Sequence, residues 1–443
     1  MRRLLGWRYF VVGLGLLMLV AGACTSGTGD DGGPTGGGGE LKTGVGVTEE
    51  PCPNSENQDR GCIYLGILSD LTEGPFAPLA VPITNAQKAF WARVNANGGI
   101  GGEFDVDVET NTRDNKYDPE EHVAKYREIE PEILALAQSL GTPTTLAALD
   151  LYLEDEIVAA PASWWSGWAF EDNILESGYN YCIESQNGLD WAAGEFGDLG
   201  SVMAVGYPGD YGGDSAAGVQ VWAEANEVEF DPGTHIVQTA PNAIAGNQDA
   251  AVGAILGASP DVVVIATGPS EMAEIVGKAA AQGFEGQFLG SVPTWNPALL
   301  QSEAAPALQA LYHFVSPWGP WASDTPAHDA MVEAAGDELP ANDGYTFGWI
   351  WSYPMKALLE AAHENNDLTR AGLLEVADGL SVDYEGALAD AEFGGEPNDS
   401  VVRDAIIAQP DPEAPLGASV LEDFFVGPTA EAFEFTEACS SAG

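Results

Sequence analysis

A basic surface is what this sequence most clearly lacks. Only 15 Lys and Arg stand against 68 Asp and Glu in 443 residues, which gives a formal net charge of -53. Binding to nucleic-acid phosphates requires clustered cations that displace counterions, and no such cluster occurs along the chain. The acids are spread through aromatic-containing sequence instead of forming one acidic block. The composition therefore excludes a nucleic-acid-binding protein and predicts a folded body with an acidic surface suited to concentrated salt.

Local signatures of catalysis are also missing. The five His residues show no HExxH or similarly close spacing, which gives no support for a metal site. The stretch GDSAA at 213–217 lacks the second glycine of a nucleophile elbow and predicts a helix start. Glycines between 98 and 102 precede a strand, unlike those of a phosphate-binding loop. We therefore expect a protein with no catalytic residue, no metal and no cofactor.

The sequence has no apolar run long enough to span a membrane. Residues 10–20 form the main candidate, and these 11 residues are about half of the roughly 20 that a spanning helix needs. Three Arg precede this run, and small residues follow it up to Cys24. This order predicts a secretory signal peptide over residues 1–23. An N-terminal membrane anchor is the alternative.

The end of the predicted signal, VAGAC at 20–24, resembles a bacterial lipobox. The resemblance implies cleavage before Cys24 and attachment of a diacylglycerol to its thiol, although Ala21 stands where Leu is commonest. Residues 24–60 begin with a stretch rich in Gly, Ser and Thr, which predicts a flexible tether. The expected location is extracytoplasmic, lipid-anchored to the outer face of the cell membrane, with contact to the membrane through the lipid only.

Cysteine is scarce, and no CxxC pair is present, which excludes a thioredoxin-like or zinc-ribbon site. Four cysteines remain once Cys24 carries lipid, an even number that suits an oxidising compartment. Three pairings are possible. We favour Cys52 with Cys62, which closes a short loop before the first strand, and Cys182 with Cys439, which pins the C-terminal tail. Free buried thiols are the alternative.

What the sequence does contain is a regular alternation of short apolar runs and helical periodicity. With 45% hydrophobic residues, the chain can build one large or two medium cores. The alternation predicts an α/β fold with parallel sheets, in two consecutive series of similar size. Acids at 105, 107 and 109 alternate with apolar residues and predict a half-exposed strand. The predicted strands are 63–68, 104–109, 133–138, 157–160, 202–205, 236–237, 262–266, 288–289 and 312–315.

The helices follow from apolar residues at three- and four-residue steps. The first helix carries Ile83, Phe90 and Val94 and ends at 97–99, where glycine can adopt the left-handed C-cap. The further predicted helices are 120–129, 144–153, 215–225, 248–256, 270–282, 345–363 and 369–379.

Two loops at predicted strand ends carry candidate binding residues. In open α/β sheets, ligands bind beyond the carboxyl ends of the strands. Thr142 suits a helix N-cap and Pro143 the first helical position, while Thr144 adds a hydroxyl, so this loop predicts a seat for an anion or carboxylate. A helix cap without a ligand is the alternative.

The next strand-end loop contains Ser163, Trp164 and Trp165. Three Trp within 164–168 are unfavourable in water and awkward within a regular element, which predicts that they wall a pocket. The alternative is that they fill the interface between two lobes.

Several motifs occur in an order that resembles the type I periplasmic solute-binding proteins of ABC importers, specifically the branched-chain amino-acid binding family. The resemblance extends from Ile63 to about Phe425. It rests on VNANGGIGG at 94–102, RDNKYDP at 113–119, GTPTT at 141–145, DLY at 150–152, PAS at 161–163 and YPGDYG at 207–212.

The family resemblance implies two Rossmann-like lobes that close on a small solute. Three crossings would join them, near 181–185, 312–316 and 396–402. The first lobe would comprise 61–183 and 316–398. The second lobe would comprise 184–315 and 399–443, including the C-terminal tail.

The resemblance also implies which residues contact the solute. Thr142 matches a hydroxyl that contacts the ligand carboxylate, and Tyr211 matches an aromatic residue of the second lobe that covers the ligand. Ser163 and Trp164 belong to the second contact loop. Leu71 and Thr72, after the first strand, would complete the wall of the first lobe.

Departures from the family pattern concern the identity of the solute. The loop at 293–297 contains Trp295 and no acid to meet an ammonium group. A pocket with Trp164, Trp165, Tyr211 and Trp295 would favour an apolar, aromatic or quaternary-ammonium solute, the last through cation–π contacts. Asp210 could still pair with an ammonium, so an amino acid or a related amide stays open.

We therefore expect a receptor that captures a small solute by hinge closure and hands it to a permease with ATPase subunits. A ligand-sensing receptor or regulator of the same fold is one alternative. A secreted hydrolase is another, which turnover of the solute would reveal.

Overall fold

The computed structural model describes residues 40–440. The predicted signal peptide, the predicted lipidation site Cys24 and the first part of the predicted tether lie outside the described residues. Residues from Leu41 onward form one compact unit.

Short strands occur throughout residues 40–440, and most belong to two sheets. The strands are β1 (Lys42–Thr43), β2 (Val47–Thr48), β3 (Gly61–Ser69), β4 (Phe104–Asp114), β5 (Ala135–Leu140), β6 (Ala159–Ala162), β7 (Val202–Gly206), β8 (Ile236–Gln238), β9 (Val262–Ala266), β10 (Gln287–Gly290), β11 (Tyr312–Ser316), β12 (Asp367–Leu368), β13 (Ser381–Val382), β14 (Ala391–Glu392), β15 (Ala405–Pro410) and β16 (Ala418–Phe425).

Helices alternate with these strands as the sequence predicts. They are α1 (Ala77–Ala96), α2 (Pro119–Ile129), α3 (Thr142–Glu154), α4 (Tyr181–Phe196), α5 (Asp210–Ala225), α6 (Pro232–His235), α7 (Asn242–Ala245), α8 (Asp249–Ala258), α9 (Pro269–Ala281), α10 (Ala305–Leu311), α11 (Pro326–Ala335), α12 (Gly344–Ile350), α13 (Ser352–Glu364), α14 (Arg370–Ala377), α15 (Pro397–Ser400) and α16 (Pro428–Ala432).

The first sheet has β3 at its centre. Strand β3 is parallel to β4 on one side and to β5 on the other, and β6 continues the sheet from β5. The short β2 runs antiparallel to the start of β3. Ile63, Leu65 and Ile67 are fully buried because helices cover both faces of a parallel sheet. We call this sheet and the elements packed on it the first lobe.

The second sheet has seven strands in the order β8, β7, β9, β10, β11, β15 and β16. The first five are parallel, whereas β15 and β16 are antiparallel additions at one edge. We call this sheet and its helices the second lobe. The predicted α/β fold with two Rossmann-like halves is confirmed.

The chain passes between the two sheets three times: between β6 and β7, after β11, and between β14 and β15. After β11 it returns to the first lobe, where Trp349 of α12 packs 5.3 Å from Phe90 of α1. The crossings predicted near 181–185 and 396–402 fall within these segments. The crossing predicted near 312–316 directly follows these residues, which form β11, a paired strand of the second sheet.

The helix predicted over 345–363 is interrupted at Trp351, between α12 and α13. Pro354 has no N–H to offer the carbonyl group of Ile350, so the helical hydrogen-bond pattern is broken at this point. Nearby, Gly348 allows close contact with α1, since a Cβ at this position would lie 2.0 Å from the carbonyl oxygen of Ile83.

The part of the predicted tether that is described, residues 41–60, is not a flexible segment. Strand β1 pairs with β12, and β2 pairs with β3. The backbone N–H of Tyr64 donates to the carbonyl oxygen of Gly46 at 2.7 Å. The prediction of a flexible tether rested on glycine content. It is wrong for this segment, because backbone pairing and the Cys52–Cys62 bond attach the segment to the first lobe.

Of the three acids predicted to face solvent on β4, Glu109 is exposed, whereas Asp105 and Asp107 are buried, at 2% and 6% exposure. The guanidinium of Arg60 donates to the carboxylate of Asp105 at 2.8 Å, and the backbone N–H of Thr110 donates to Asp107 at 2.8 Å. A guanidinium from outside the strand and a backbone N–H of β4 itself therefore compensate for the burial of these charges.

Both favoured disulfide bonds are present. Cys52 is bonded to Cys62, and Cys182 is bonded to Cys439. The second bond attaches the C-terminal tail to the first turn of α4.

The excess of acid predicts that salt stabilises the protein. Exposed carboxylates repel one another, and the repulsion is screened more strongly as ionic strength rises. We expect the thermal midpoint to rise by roughly 5 °C or more between about 0.1 M and about 2 M KCl. Differential scanning calorimetry measures it, with NaBr at equal ionic strength as the control, because screening depends little on ion identity. A midpoint that stays constant or falls would contradict this prediction.

Candidate functional site

A cavity of about 50 Å³ lies where the carboxyl ends of the two sheets meet. The first lobe contributes the loops after β4, β5 and β6, and the second lobe contributes the start of α5 and the loop after β10. Strand ends of open α/β sheets are where ligands bind. The lining residues are Phe76, Leu79, Ile83, Tyr117, Leu140, Gly141, Thr142, Ser163, Trp164, Tyr181, Tyr211, Pro293, Phe347 and Trp351.

A larger cavity of about 670 Å³ lies elsewhere, between residues 168–178 and residues 391–402. None of the predicted ligand-binding residues lines it. It also lies among the crossing segments and not at strand ends, which is why we take the smaller cavity as the candidate site.

Thr142 lines the cavity as the first residue of α3. The predicted role of Thr142 as N-cap is wrong, because Gly141 occupies the cap with a φ of 92°, a left-handed conformation that favours glycine. A Cβ on Gly141 would also lie 2.5 Å from the ring of Tyr117. Glycine thus allows Thr142 and Tyr117 to share one wall of the cavity.

The other residues of this loop do not reach the cavity. Pro143 follows Thr142 in the helix and is half-buried outside the lining. The hydroxyl of Thr144 donates to the carbonyl oxygen of Gly141 at 2.8 Å. Its hydrogen-bonding capacity is therefore used within the first turn of α3.

Trp164 and Ser163 both line the cavity. The indole N–H of Trp164 donates to the carbonyl oxygen of Ser177 at 2.8 Å, and its ring lies 4.9 Å from that of Trp351. The hydroxyl of Ser163 accepts a hydrogen bond from the indole N–H of Trp168 at 3.2 Å. These contacts fix the orientation of the loop after β6.

Trp165, predicted in the same wall, points elsewhere. Its indole N–H donates to the carbonyl oxygen of Ser440 at 3.1 Å, and its ring packs 5.1 Å from Trp168. Trp165 therefore holds the C-terminal tail, which agrees with the alternative that some of these Trp residues fill space between elements.

Tyr211 contributes the second-lobe wall. Its ring lies 4.6 Å from that of Tyr181, and its hydroxyl donates to the carbonyl oxygen of Thr267 at 3.2 Å. Burial raises the pKa of Tyr211 well above its usual value, so the phenol stays neutral.

Three further predicted residues lie outside the cavity wall. Trp295 stacks 5.7 Å from Phe314 in the core of the second sheet, and its neighbour Pro293 lines the cavity instead. Leu71 and Thr72 are held away from the cavity by Asp114, which accepts hydrogen bonds from the Leu71 backbone N–H at 2.9 Å and from the Thr72 hydroxyl.

Tyr117 was missed, although it lies within the quoted motif at 113–119. The side-chain oxygen of Asn115 accepts a hydrogen bond from the backbone N–H of Tyr117 at 2.9 Å, and Tyr117 has a φ of 57°. This turn places its ring 4.9 Å from Phe76, another missed residue. The Asn two residues before Tyr117 was the available signal, since Asn side chains bond such turns.

Phe347, Trp351 and Tyr181 complete the aromatic wall and were also missed. Phe347 lies within α12, Trp351 lies at the break between α12 and α13, and Tyr181 begins α4. An apolar residue in a helix is usually core, so their sequence context offered no signal for a binding role.

Buried carboxylates lie next to the cavity, whereas no Lys, Arg or His lines it. Burial raises the pKa of Asp210, and the hydroxyl of Thr142 acts in the opposite direction. One oxygen of Glu184 accepts hydrogen bonds from the Val292 backbone N–H at 2.9 Å and the Tyr179 hydroxyl at 3.0 Å.

In residues 40–440, no group of three potential metal ligands occurs.

The buried carboxyl of Glu184 is expected to make the free energy of unfolding depend on pH. Burial raises its pKa from the ordinary value of 4.5 to about 8, so the folded protein holds a proton that the unfolded chain releases. Stability should fall as pH rises between these values, by up to about 1.4 kcal/mol per pH unit from this group. Urea unfolding of wild type and Glu184→Gln from pH 5 to 8 measures it.

The Glu184→Gln side chain cannot ionise, so its stability should fall less over this range than that of the wild type. A difference between the two proteins that is constant from pH 5 to 8 would contradict the assignment of a buried, neutral Glu184.

Within residues 40–440, no helix combines the length and apolar character needed to cross a membrane.

Solved structures share this fold. A fatty acid ABC transporter substrate-binding protein from Thermomonospora curvata is 27% identical, with 89% of this chain and 97% of that chain covered and a TM-score of 0.77. A branched chain amino acid ABC transporter from Thermus thermophilus with bound valine is 16% identical, with coverage of 84% and 98% and a TM-score of 0.70. An ABC transporter solute binding protein from R. palustris in complex with benzoate is 16% identical, with coverage of 84% and 99% and a TM-score of 0.64.

The last two structures, at 16% identity, show similarity of fold alone. No curated protein sequence matches this chain. The family model of the periplasmic binding protein matches residues 63–414, which is most of the chain. This match, on a fold of two α/β lobes with a cavity between them, shows that the chain belongs to the periplasmic binding protein family.

Proposed function

We propose that this protein is the solute-binding component of an ABC importer, and that it captures a small solute between its lobes by hinge closure. The observation that carries the proposal is the composition of the cavity wall: Thr142 and Trp164 come from the first lobe, and Tyr211 and Pro293 come from the second. A solute that contacts both lobes stabilises the closed arrangement.

The size of the cavity supports a hinge motion. Its volume of about 50 Å³ is well below the roughly 300–1,000 Å³ of most small-molecule sites. A solute of ordinary size therefore enters only when the lobes move apart. The three chain segments between the sheets are the natural hinge, and we propose lobe boundaries close to 61–183 with 316–398, and 184–315 with 399–443.

The chemistry of the wall supports an apolar or aromatic solute, or an amino acid, an amide or a quaternary ammonium compound with an apolar part. Half of the lining residues are aromatic, and the polar groups of the wall include the hydroxyls of Thr142 and Ser163. The relatives named above bind a fatty acid, valine or benzoate according to their descriptions. None of these identifies the solute of this chain.

We also propose export and lipid anchoring through Cys24, with a permease and ATPase subunits as partners. The disulfide bonds support an oxidising compartment. The solute is bound and released unchanged, with no bond made or broken.

Native mass spectrometry of freshly purified protein tests the proposal. We expect a retained small molecule, whose mass is unchanged after prolonged incubation and which raises the thermal midpoint of the stripped protein. Small-angle X-ray scattering should show a smaller radius of gyration when it is added back. Conversion of the molecule into a product, or a radius of gyration that does not respond to it, would contradict the proposal.

A further inference from the structure

We propose that the solute carries a positive charge on its apolar head and that the carboxylate of Asp210 is the counter-charge in this protein. This inference rests on the proposed function and names the solute class for the same cavity.

The first observation is the aromatic wall, which encloses the cavity from both lobes. Seven rings line it, in contact with one another: Phe76 with Tyr117 at 4.9 Å, Tyr181 with Tyr211 at 4.6 Å, and Trp164 with Trp351 at 4.9 Å and Phe347 at 5.9 Å. The faces of such rings carry negative partial charge and attract cations, including quaternary ammonium groups.

The second observation is an unsatisfied carboxylate beside this wall. Asp210 is 8% exposed, and its Oδ2 has no hydrogen-bond partner. The residue begins α5 of the second lobe, and its carboxylate lies near the hydroxyl of Thr142, which lines the cavity from the first lobe. The Thr142 hydroxyl and the backbone N–H groups of Asp210 and Tyr211 favour the charged carboxylate, but Oδ2 stays buried without a partner. This is unfavourable, and a ligand cation at this place would remove the penalty.

Neighbouring acids are already occupied by the protein. Asp70 accepts hydrogen bonds from the backbone N–H groups of Gly74 and Phe76, each at 2.9 Å. Glu271 accepts hydrogen bonds from the Tyr207 hydroxyl at 3.0 Å and the Asn242 backbone N–H at 2.7 Å. Glu184 also has one oxygen without a partner, but its other oxygen accepts two hydrogen bonds, and burial raises its pKa to about 8, so this carboxyl stays neutral. Asp210 is therefore the remaining acid in this group with capacity left for a ligand cation.

The charge balance disfavours an anion. No Lys, Arg or His lines the cavity, and none forms an ion pair with Asp210 among the described residues. A carboxylate solute would meet the negative faces of the rings and the charge of Asp210 without a compensating cation. This chain should therefore differ in preference from relatives that bind carboxylic acids.

Three probes of nearly equal shape and different charge test the inference: choline, the neutral 3,3-dimethyl-1-butanol and the anion 3,3-dimethylbutanoate. Isothermal titration calorimetry on the stripped full-length protein measures their affinities. We expect choline to bind about tenfold or more tighter than the alcohol, and the anion to bind more weakly than either.

The variant Asp210→Asn keeps the shape of the side chain and removes its charge. We expect it to lose about tenfold in choline affinity while its affinity for the alcohol stays within about twofold of wild type. Glu73→Gln is the matched control, because this acid is exposed and does not line the cavity, and it should keep the preference for choline.

Equal or tighter binding of the alcohol or the anion, or binding of none of the three probes, would overturn the inference. An unchanged preference in Asp210→Asn, or its loss in Glu73→Gln, would also overturn it. Each of these results would leave the proposed solute-binding function intact if a retained solute still closes the lobes. Failure of the inference about charge can therefore be distinguished from failure of the proposed function.

Discussion

Replacement of Trp164 by alanine is expected to weaken solute binding by about 100-fold, because it removes a buried aromatic wall of the cavity. The Trp164 side chain is 2% exposed and contacts Trp318, Phe347 and Trp351. The same change should lower the free energy of unfolding by about 3–5 kcal/mol, as large-to-small changes in cores do. Calorimetric titration with the retained solute measures the affinity, and urea unfolding measures the stability.

Trp165→Ala is the matched control. Trp165 is adjacent in sequence and buried, and it lies outside the cavity, packed against Trp168 and the tail. It should lose stability to a similar extent and keep its solute affinity. Equal losses of affinity in the two variants would mean that instability, and not the cavity wall, controls binding, and would contradict the assignment of Trp164.

Loss of the Cys182–Cys439 bond is expected to cost more stability than loss of the Cys52–Cys62 bond. The first closes a loop with a sequence separation of 257 and the second one of 10. On the chain-entropy account, a bond constrains the unfolded chain more when its loop is longer, with values of about 5 and about 3 kcal/mol for these separations.

Guanidinium unfolding of the double variants Cys182→Ala/Cys439→Ala and Cys52→Ala/Cys62→Ala measures the two costs. Each variant removes the same atoms, so the pairs are controls for one another. A larger loss from the short loop would contradict the expectation and would mean that local fastening of residues 41–60 outweighs chain entropy.

Strand positions could be predicted from the sequence because buried parallel strands consist of short apolar runs. The strands predicted at 63–68 and 262–266 coincide with β3 and β9 to within a few residues. Helix ends were less exact, since α3 begins at Thr142 and not at 144, with glycine as its cap. Which residue caps a helix depends on the local φ of that residue, and the spacing of apolar residues in the sequence does not reveal this angle.

Position after a strand end predicted only part of the cavity wall. Thr142 and Trp164 each lie two residues past a strand end and line the cavity, whereas Leu71, two residues past β3, lies outside it. Trp165 does not accompany Trp164, because its ring packs against Trp168 and its indole N–H binds the C-terminal tail. Trp295 follows β10 by a short turn, and only the folded chain shows that it packs into the second sheet.

Other wall residues depend on contacts that the sequence does not reveal. Tyr117 is placed by a left-handed turn, and Trp351 by the break between two helices. The burial of Asp105 likewise depends on Arg60, which lies 45 residues away in the chain. Each of these positions is set by tertiary structure.

The central claim is that a solute binds between the lobes, in the cavity lined by Thr142, Trp164 and Tyr211. The most direct measurement is a crystal structure of the full-length protein with the solute retained from its producing cell. The account predicts electron density for that solute against these three side chains, in contact with both lobes. Density confined to the larger cavity between residues 168–178 and 391–402, with the strand-end cavity still empty, would contradict it.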